Sequence, residues 1–263
     1  VNGLRLFFVL IAASWRSRMQ YKMNFILSTI LVTFIWLAEF LTIAVILYKF
    51  GSIKGWNIHE VGYLYSVVMI SRHLFRFFGT EVHHFEKYLV EGLMDQLLLR
   101  PVPVLMVLLT RNFRFLIGDM IQSLCILWIC LDQLLDTGKV TLWAIPLTLI
   151  TIISGTLIVF SINLATATIG FWIYRVNDLA VLTEDAAKTA CQYPLTIFPK
   201  WLQILLLTIL PMGFVSYVPS LYIIRGELGV WVVGATLLFA MGILLLSLRF
   251  WRFGISKYQS TGS

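Results

Sequence analysis

Thirty-five consecutive residues, 140–174, contain no Asp, Glu, Lys or Arg. Stretches 201–224 and 228–248 are equally free of charge, and 23–48 carries only Glu39. A bilayer core is about 30 Å thick and is crossed by roughly 20 apolar residues in a helix. A soluble core has no use for so many such runs in 263 residues. Lipid offers backbone amides and carbonyls no partner, so the runs must be helices, or irregular pieces shielded by protein. Overall 59% of the chain is apolar and 13% charged, against about 25% charged in soluble domains. The expectation is an all-α polytopic membrane protein.

The net charge of +7 does not call for nucleic acid, because Lys and Arg collect in the cytoplasmic loops of membrane proteins. Cys125, Cys130 and Cys191 show neither a disulfide framework nor zinc spacing. The N-terminus has Arg5, Arg16 and Arg18 around an apolar stretch but no small-residue cleavage site followed by a soluble body, so a removable signal is not expected.

Along the chain, Leu4, Phe8, Ile11 and Trp15 share one face of a helix over residues 1–22, with Arg5 and Arg16 elsewhere. That moment suits an interfacial helix. Six spans are expected at 23–48, 59–80, 112–131, 140–174, 178–193 and 228–248. The second carries Arg72, His73 and Arg76 near its end, where long side chains can snorkel to water. The fourth would need tilt, or a kink near Pro146 or Gly155. Pro211, Gly213 and Pro219 interrupt 199–224, so it reads as a re-entrant element rather than a straight span. Gly234 and Gly242 could allow close packing of the last span. With both termini cytoplasmic, 14 of the 20 Lys and Arg fall on or beside the inner side.

Residues 81–103 are the one extended polar stretch. Leu89, Leu93 and Leu97 recur at helical spacing until Pro101 and Pro103 break the pattern. Such a segment between two spans is either an ordinary solvated loop helix or a lever moved by a soluble motor. Glu39, Asp119, Glu184, Asp185 and Lys188 lie in or near the membrane, where ionisable groups are functional candidates by default. Their alternative is a structural role, with Lys188 paired to Glu184 at i, i+4.

No G-x-x-x-x-G-K-[ST] loop occurs, so ATP hydrolysis would belong to another subunit. His59-Glu60 opens like a zinc helix, but position 63 is Tyr; no metal site is expected. No G-x-S-x-G elbow occurs either, and the chain is not expected to be an enzyme.

The run Glu91-Gly92-Leu93-Met94-Asp95-Gln96-Leu97-Leu98-Leu99-Arg100-Pro101-Val102 resembles the coupling segment of type-2 ABC exporter permeases, in particular their short six-span bacterial members. A second match is Tyr193-Pro194-Leu195-Thr196-Ile197-Phe198-Pro199, continuing to Leu210-Pro211 and Phe214-Val215-Ser216-Tyr217-Val218-Pro219. A third is Phe250-Trp251-Arg252-Phe253-Gly254 followed by Tyr258. The resemblance implies an interfacial N-terminal helix, six spans and a re-entrant extracellular element before the last. It implies a bacterial inner-membrane exporter subunit with both termini cytoplasmic. Two cytoplasmic ABC ATPases would bind ATP and Mg, and the second permease would be a copy or a paralogue. Tyr88, Glu91, Gly92, Asp95, Leu97, Leu98, Arg100 and Pro101 would form the ATPase-coupling site. Pro211, Gly213, Tyr217 and Pro219 would form an outer gate. The competing reading is a secondary transporter or channel, which would need midplane ion sites and often has inverted repeats.

Overall fold

The computed structural model describes residues 7, 9–13, 15, 16, 20, 22–113, 117–173 and 175–259. The expected interfacial helix over 1–22 falls mostly outside these; of its described residues, 7, 9–13, 15, 16 and 22 are helical and 20 is in a turn. The described residues contain only helices, apart from one isolated bridge between Ile53 and Trp56.

The long helices are α1 (Lys22–Phe50), α2 (Ile58–His83), α6 (Ile117–Asp136), α7 (Ala144–Ile173) and α12 (Trp231–Lys257). Between α2 and α6 lie α3 (Glu86–Val90), α4 (Leu93–Leu98) and α5 (Val104–Arg111). After α7 come α8 (Asn177–Ala180), a π-helical turn (Val181–Ala186) and α9 (Ala187–Cys191) in unbroken succession. Then follow α10 (Lys200–Thr208), a 3-10 turn (Pro211–Phe214) and α11 (Tyr217–Arg225).

Among the described residues, four helices are long and apolar enough to cross a membrane: Ile26–Val45 within α1, α6, α7 and α12. A fifth results if α10 and the Pro211–Arg225 segment count as one crossing, bent by 72°. The chain is therefore a multi-pass membrane protein. Helix α2 is long enough, about 39 Å at 1.5 Å per residue, but Glu60, Arg72, Arg76 and Glu81 make it too charged to join them.

Those charges explain its position. Helix α2 is the buried axis of the bundle, flanked by α7 and α6, and Val61–Ile70 is buried on every side. Protein rather than lipid surrounds its polar groups. Its start is fixed by a capping box: the Asn57 side chain accepts from the Glu60 amide at 2.9 Å, and the Glu60 carboxylate accepts from the Asn57 amide at 3.0 Å. Helix α1 is the opposite case. It leans on α6 and α2, and among its described side chains only Ile43 is buried.

Helix α7 is continuous for 30 residues, and Pro146 falls in its first turn, where a missing amide costs no ladder bond. Helix α12 packs along α7. Its seam uses Ala240, Trp251 and Gly254, while Gly234 and Gly242 face open space. At Gly254 a β-carbon would come within 2.6 Å of the Thr168 and Phe171 side chains.

Candidate functional site

The stretch 81–103 is not one helix. Glu91 ends α3, and Gly92, at φ 66°, turns the chain into α4. That left-handed conformation is readily open only to glycine. The break divides the predicted coupling residues into two sets. Tyr88 and Leu97 point inward, together with Leu89 and Met94, against Phe85, Phe171 and Trp251. Glu91, Leu98, Arg100 and Pro101 are exposed, and so is Leu99, at 86%. Asp95 and Gly92 are half-buried.

Two carboxylates fasten this stretch to the bundle. Glu81, at the end of α2, is buried and accepts hydrogen bonds from the Tyr88 hydroxyl, from Lys87 and, at 2.8 Å, from the Asn112 amide. Burial pushes its carboxyl up, but the bonds from Lys87, Tyr88 and Asn112 prevail and hold it below the usual carboxylate range. Burial, reinforced by the Glu81 charge, pushes the Tyr88 phenol up. Glu86, on α3, accepts from the backbone amides of Val176, at 2.6 Å, and Asn177. It caps the start of α8, where unsatisfied amides and the helix dipole favour a negative charge. Thus α3 is tied to α2, to the α5–α6 link and to α8.

Helix α8 leads into the π turn, which carries Glu184, the most densely bonded carboxylate among the described residues. Both Arg72 Nε, at 2.9 Å, and Arg76, at 2.8 and 2.9 Å, donate to Glu184 Oε1. His83 Nδ1 lies 2.6 Å from the other oxygen and 3.0 Å from Asn163 Oδ1. Arg72 also donates to Asp185 at 2.7 Å. The expected Glu184–Lys188 pair does not form. The two guanidiniums occupy Glu184, and Lys188 reaches across to Glu39 on α1 at 3.3 Å, beside Gln192. Trp36 lies under both Arg72 and Lys188, 5.2 and 4.5 Å from its ring centre. Asp119 belongs to a separate pair, accepting from Thr33 at 3.3 Å.

Arg72 and Arg76 therefore do not snorkel to water; each side chain is at most 13% exposed. The missed signal was spacing. Positions 72, 76 and 83 lie within about 40° of one another at 100° per residue, a cationic stripe that required a carboxylate opposite. A buried charge stripped of its partner is heavily penalised.

At the far end of α2, the Glu60 carboxylate accepts from Lys139 at 2.8 Å and Arg225 at 3.3 Å. It thereby joins the α6–α7 hairpin to the end of α11. Arg225 also lies over the Trp56 ring at 4.1 Å. Of the predicted gate residues only Tyr217 packs on Trp56, with ring centres 5.8 Å apart; Pro211, Gly213 and Pro219 are buried, Gly213 among Leu195, Leu206 and Leu207, and Pro211 in a wall shared with Ser161, Ile169 and Phe250. Among the described residues no three His, Cys, Asp or Glu side chains are grouped as metal ligands would be.

Compared with known families, the chain matches the family described as ABC-2 family transporter protein over residues 24–262. No curated protein matches it.

Proposed function

Because the chain belongs to the ABC-2 family of transporter proteins, we propose that it is the permease subunit of an ATP-driven exporter, moving substrate between two permease chains. In this reading α1, α2, α6, α7, the α8–π–α9 helix and α12 are the six spans. Segment α10–α11 is a re-entrant element on the outer side. The Lys and Arg excess at the Glu81 end of the bundle supports a cytoplasmic location for that end and for both termini. Two ABC ATPases, which hold the ATP and Mg, bind there; the second permease is a copy or a paralogue.

The observation that carries this reading is the attachment of the 81–103 stretch. An exposed edge of Glu91, Leu98, Leu99, Arg100 and Pro101 is backed by packed side chains and roped by Glu81 and Glu86 to three parts of the bundle. Force applied to that edge reaches α2 directly and, through Asn112, the end of α5. Through Glu86 it also reaches α8, and so the Glu184 cluster. Displacing Glu184 relative to Arg72 and Arg76 would change the packing of α2 against the polar helix, and the two arrangements would differ in free energy as a switch requires. The Glu60 clasp at the other end, and the Pro211–Pro219 region that leads inward from Tyr217, are suited to an outer gate.

The deciding experiment is purification from native membranes. It should recover a nucleotide-hydrolysing subunit, and Arg100→Glu should lower that yield or the substrate-stimulated hydrolysis without removing the protein from the membrane. Unchanged association, hydrolysis and transport would overturn the reading. The buried intramembrane charges support one alternative, a secondary transporter or channel. It is favoured if the chain alone, in vesicles, moves solute down an ion gradient.

A further inference from the structure

Beside the ion cluster, α7, the α8–π segment, the α10–α11 break and α12 enclose an apolar groove of about 550 Å³. That volume is in the range of small-molecule sites, about 300–1,000 Å³. Ala165 and Ile169 form one wall and Ile243 and Leu246 the other. The hydroxyls that reach it are already engaged: Thr166 with Thr183 at 3.1 Å, and Ser161 and Ser247 with carbonyls of their own helices. With those protons engaged and that of Thr208 donated to its own helix, the groove offers a guest little beyond a largely apolar surface, which suits a hydrocarbon. It opens sideways past Leu246, which is 63% exposed.

One end of the groove is distinctive. Trp172 stacks on Phe250 with rings 5.7 Å apart and 10° from parallel, and Phe253 adjoins at 5.9 Å. Exposed Trp and neighbouring aromatics are typical of the headgroup level. Immediately beyond them come cations. Lys257 Nζ lies 5.7 Å from the Phe253 ring, and exposed Arg175 follows Trp172 by three residues. Arg249 and Arg252 are also exposed on this end of α12. The acids on the adjoining elements are Asp178, Glu86, Glu184 and Asp185; Glu86 is engaged by the Val176 and Asn177 amides, Glu184 by Arg72 and Arg76, and Asp185 by Arg72. The balance at the mouth is positive.

We propose that this groove is a lipid site: it holds an acyl chain of an anionic phospholipid from the surrounding bilayer, with the phosphate at Arg175 and Lys257. A slot of this volume between helices admits a methylene chain but not another helix, about 10–12 Å across with side chains. Basic positions beside spans are suited to anionic headgroups. The site does not depend on any ATPase, so it stands or falls separately from the exporter reading.

The test is photolabelling of the full chain in phosphatidylcholine vesicles doped with phosphatidylglycerol carrying a diazirine in its acyl chain. The same probe on phosphatidylcholine is the control. The anionic probe should label peptides containing 165–169 and 243–246 several-fold more than the control. Ala165→Trp should fill the slot and abolish that labelling. The double variant Arg175→Glu, Lys257→Glu changes only exposed groups, so it should fold normally and bring the anionic probe down to the control. If Ala165→Trp fails to fold, this double variant decides. Equal labelling by both probes, insensitivity to the double variant, or a cysteine at 165 that crosslinks a second chain instead of lipid would each overturn the proposal.

Discussion

At the scale of single residues, three buried carboxylates organise the molecule, and each meets cations from a different part of the chain. Glu184 is the most demanding. Its side chain is wholly buried between two guanidiniums and His83. Removing one partner of a buried ion pair costs about 3–5 kcal/mol. Glu184→Ala should therefore lower the thermal midpoint in detergent sharply, and adding Arg76→Met should restore part of the loss, a coupling that a double-mutant cycle reads directly. Equal and additive losses would show that the cluster does not act as a unit. Glu81 gives a pH signature. Its folded-state value is held below the ordinary 4.5, so its contribution is fully present above that value and disappears as pH falls through the lower, folded one. Thermal scans at descending pH should show the wild type losing more stability than Glu81→Gln, which starts weaker at neutral pH and has no carboxylate there to protonate.

At the scale of elements, the apolar runs at 140–174 and 228–248 were legible because a charge-free stretch of that length has one physical solution. The break at Gly92 was not. Leu89, Leu93 and Leu97 keep helical spacing straight through it, and only the left-handed backbone at Gly92 shows that two short helices meet there. Gly92→Ala should cost about 1–2 kcal/mol, measurable as a lower unfolding midpoint. Similarly, the charges at 178–188 showed that this segment needs polar partners, but not which ones it chooses. The Glu184–Lys188 spacing suggested a local pair, whereas the actual bonds cross to α2 and α1, about which local spacing carries no information. The link from Glu86 to α8 joins positions some 90 residues apart and was invisible for the same reason. Glu86→Ala frees two amides and should accelerate hydrogen exchange at 176–180 while sparing α3. If the exporter reading holds, it should also weaken the response of transport to ATP hydrolysis more than it weakens ATPase binding.

At the scale of the whole molecule, the ends of α2 are clasped differently, by Glu60 with Lys139 and Arg225 at one end and by Glu81 and Glu86 at the other. The proposed topology puts these clasps on opposite sides of the membrane. In a variant with Cys125, Cys130 and Cys191 replaced, a reporter cysteine at Leu99 should react with an impermeant thiol reagent only from the cytoplasmic side. One at Thr137 should react only from outside. Labelling of both from one side would dismantle the six-span arrangement. Between the clasps sits the π turn at Val181–Ala186. Such a turn accommodates one residue more than the α-helical ladder around it. Handing that surplus residue on toward Cys191 would rotate the intervening side chains by roughly 100°, swinging Glu184 off its arginines while α8 and Gln192 stayed where they are. Such a migration would change which face the polar helix shows without sliding or unfolding it, in the manner of a ratchet with a single spare tooth.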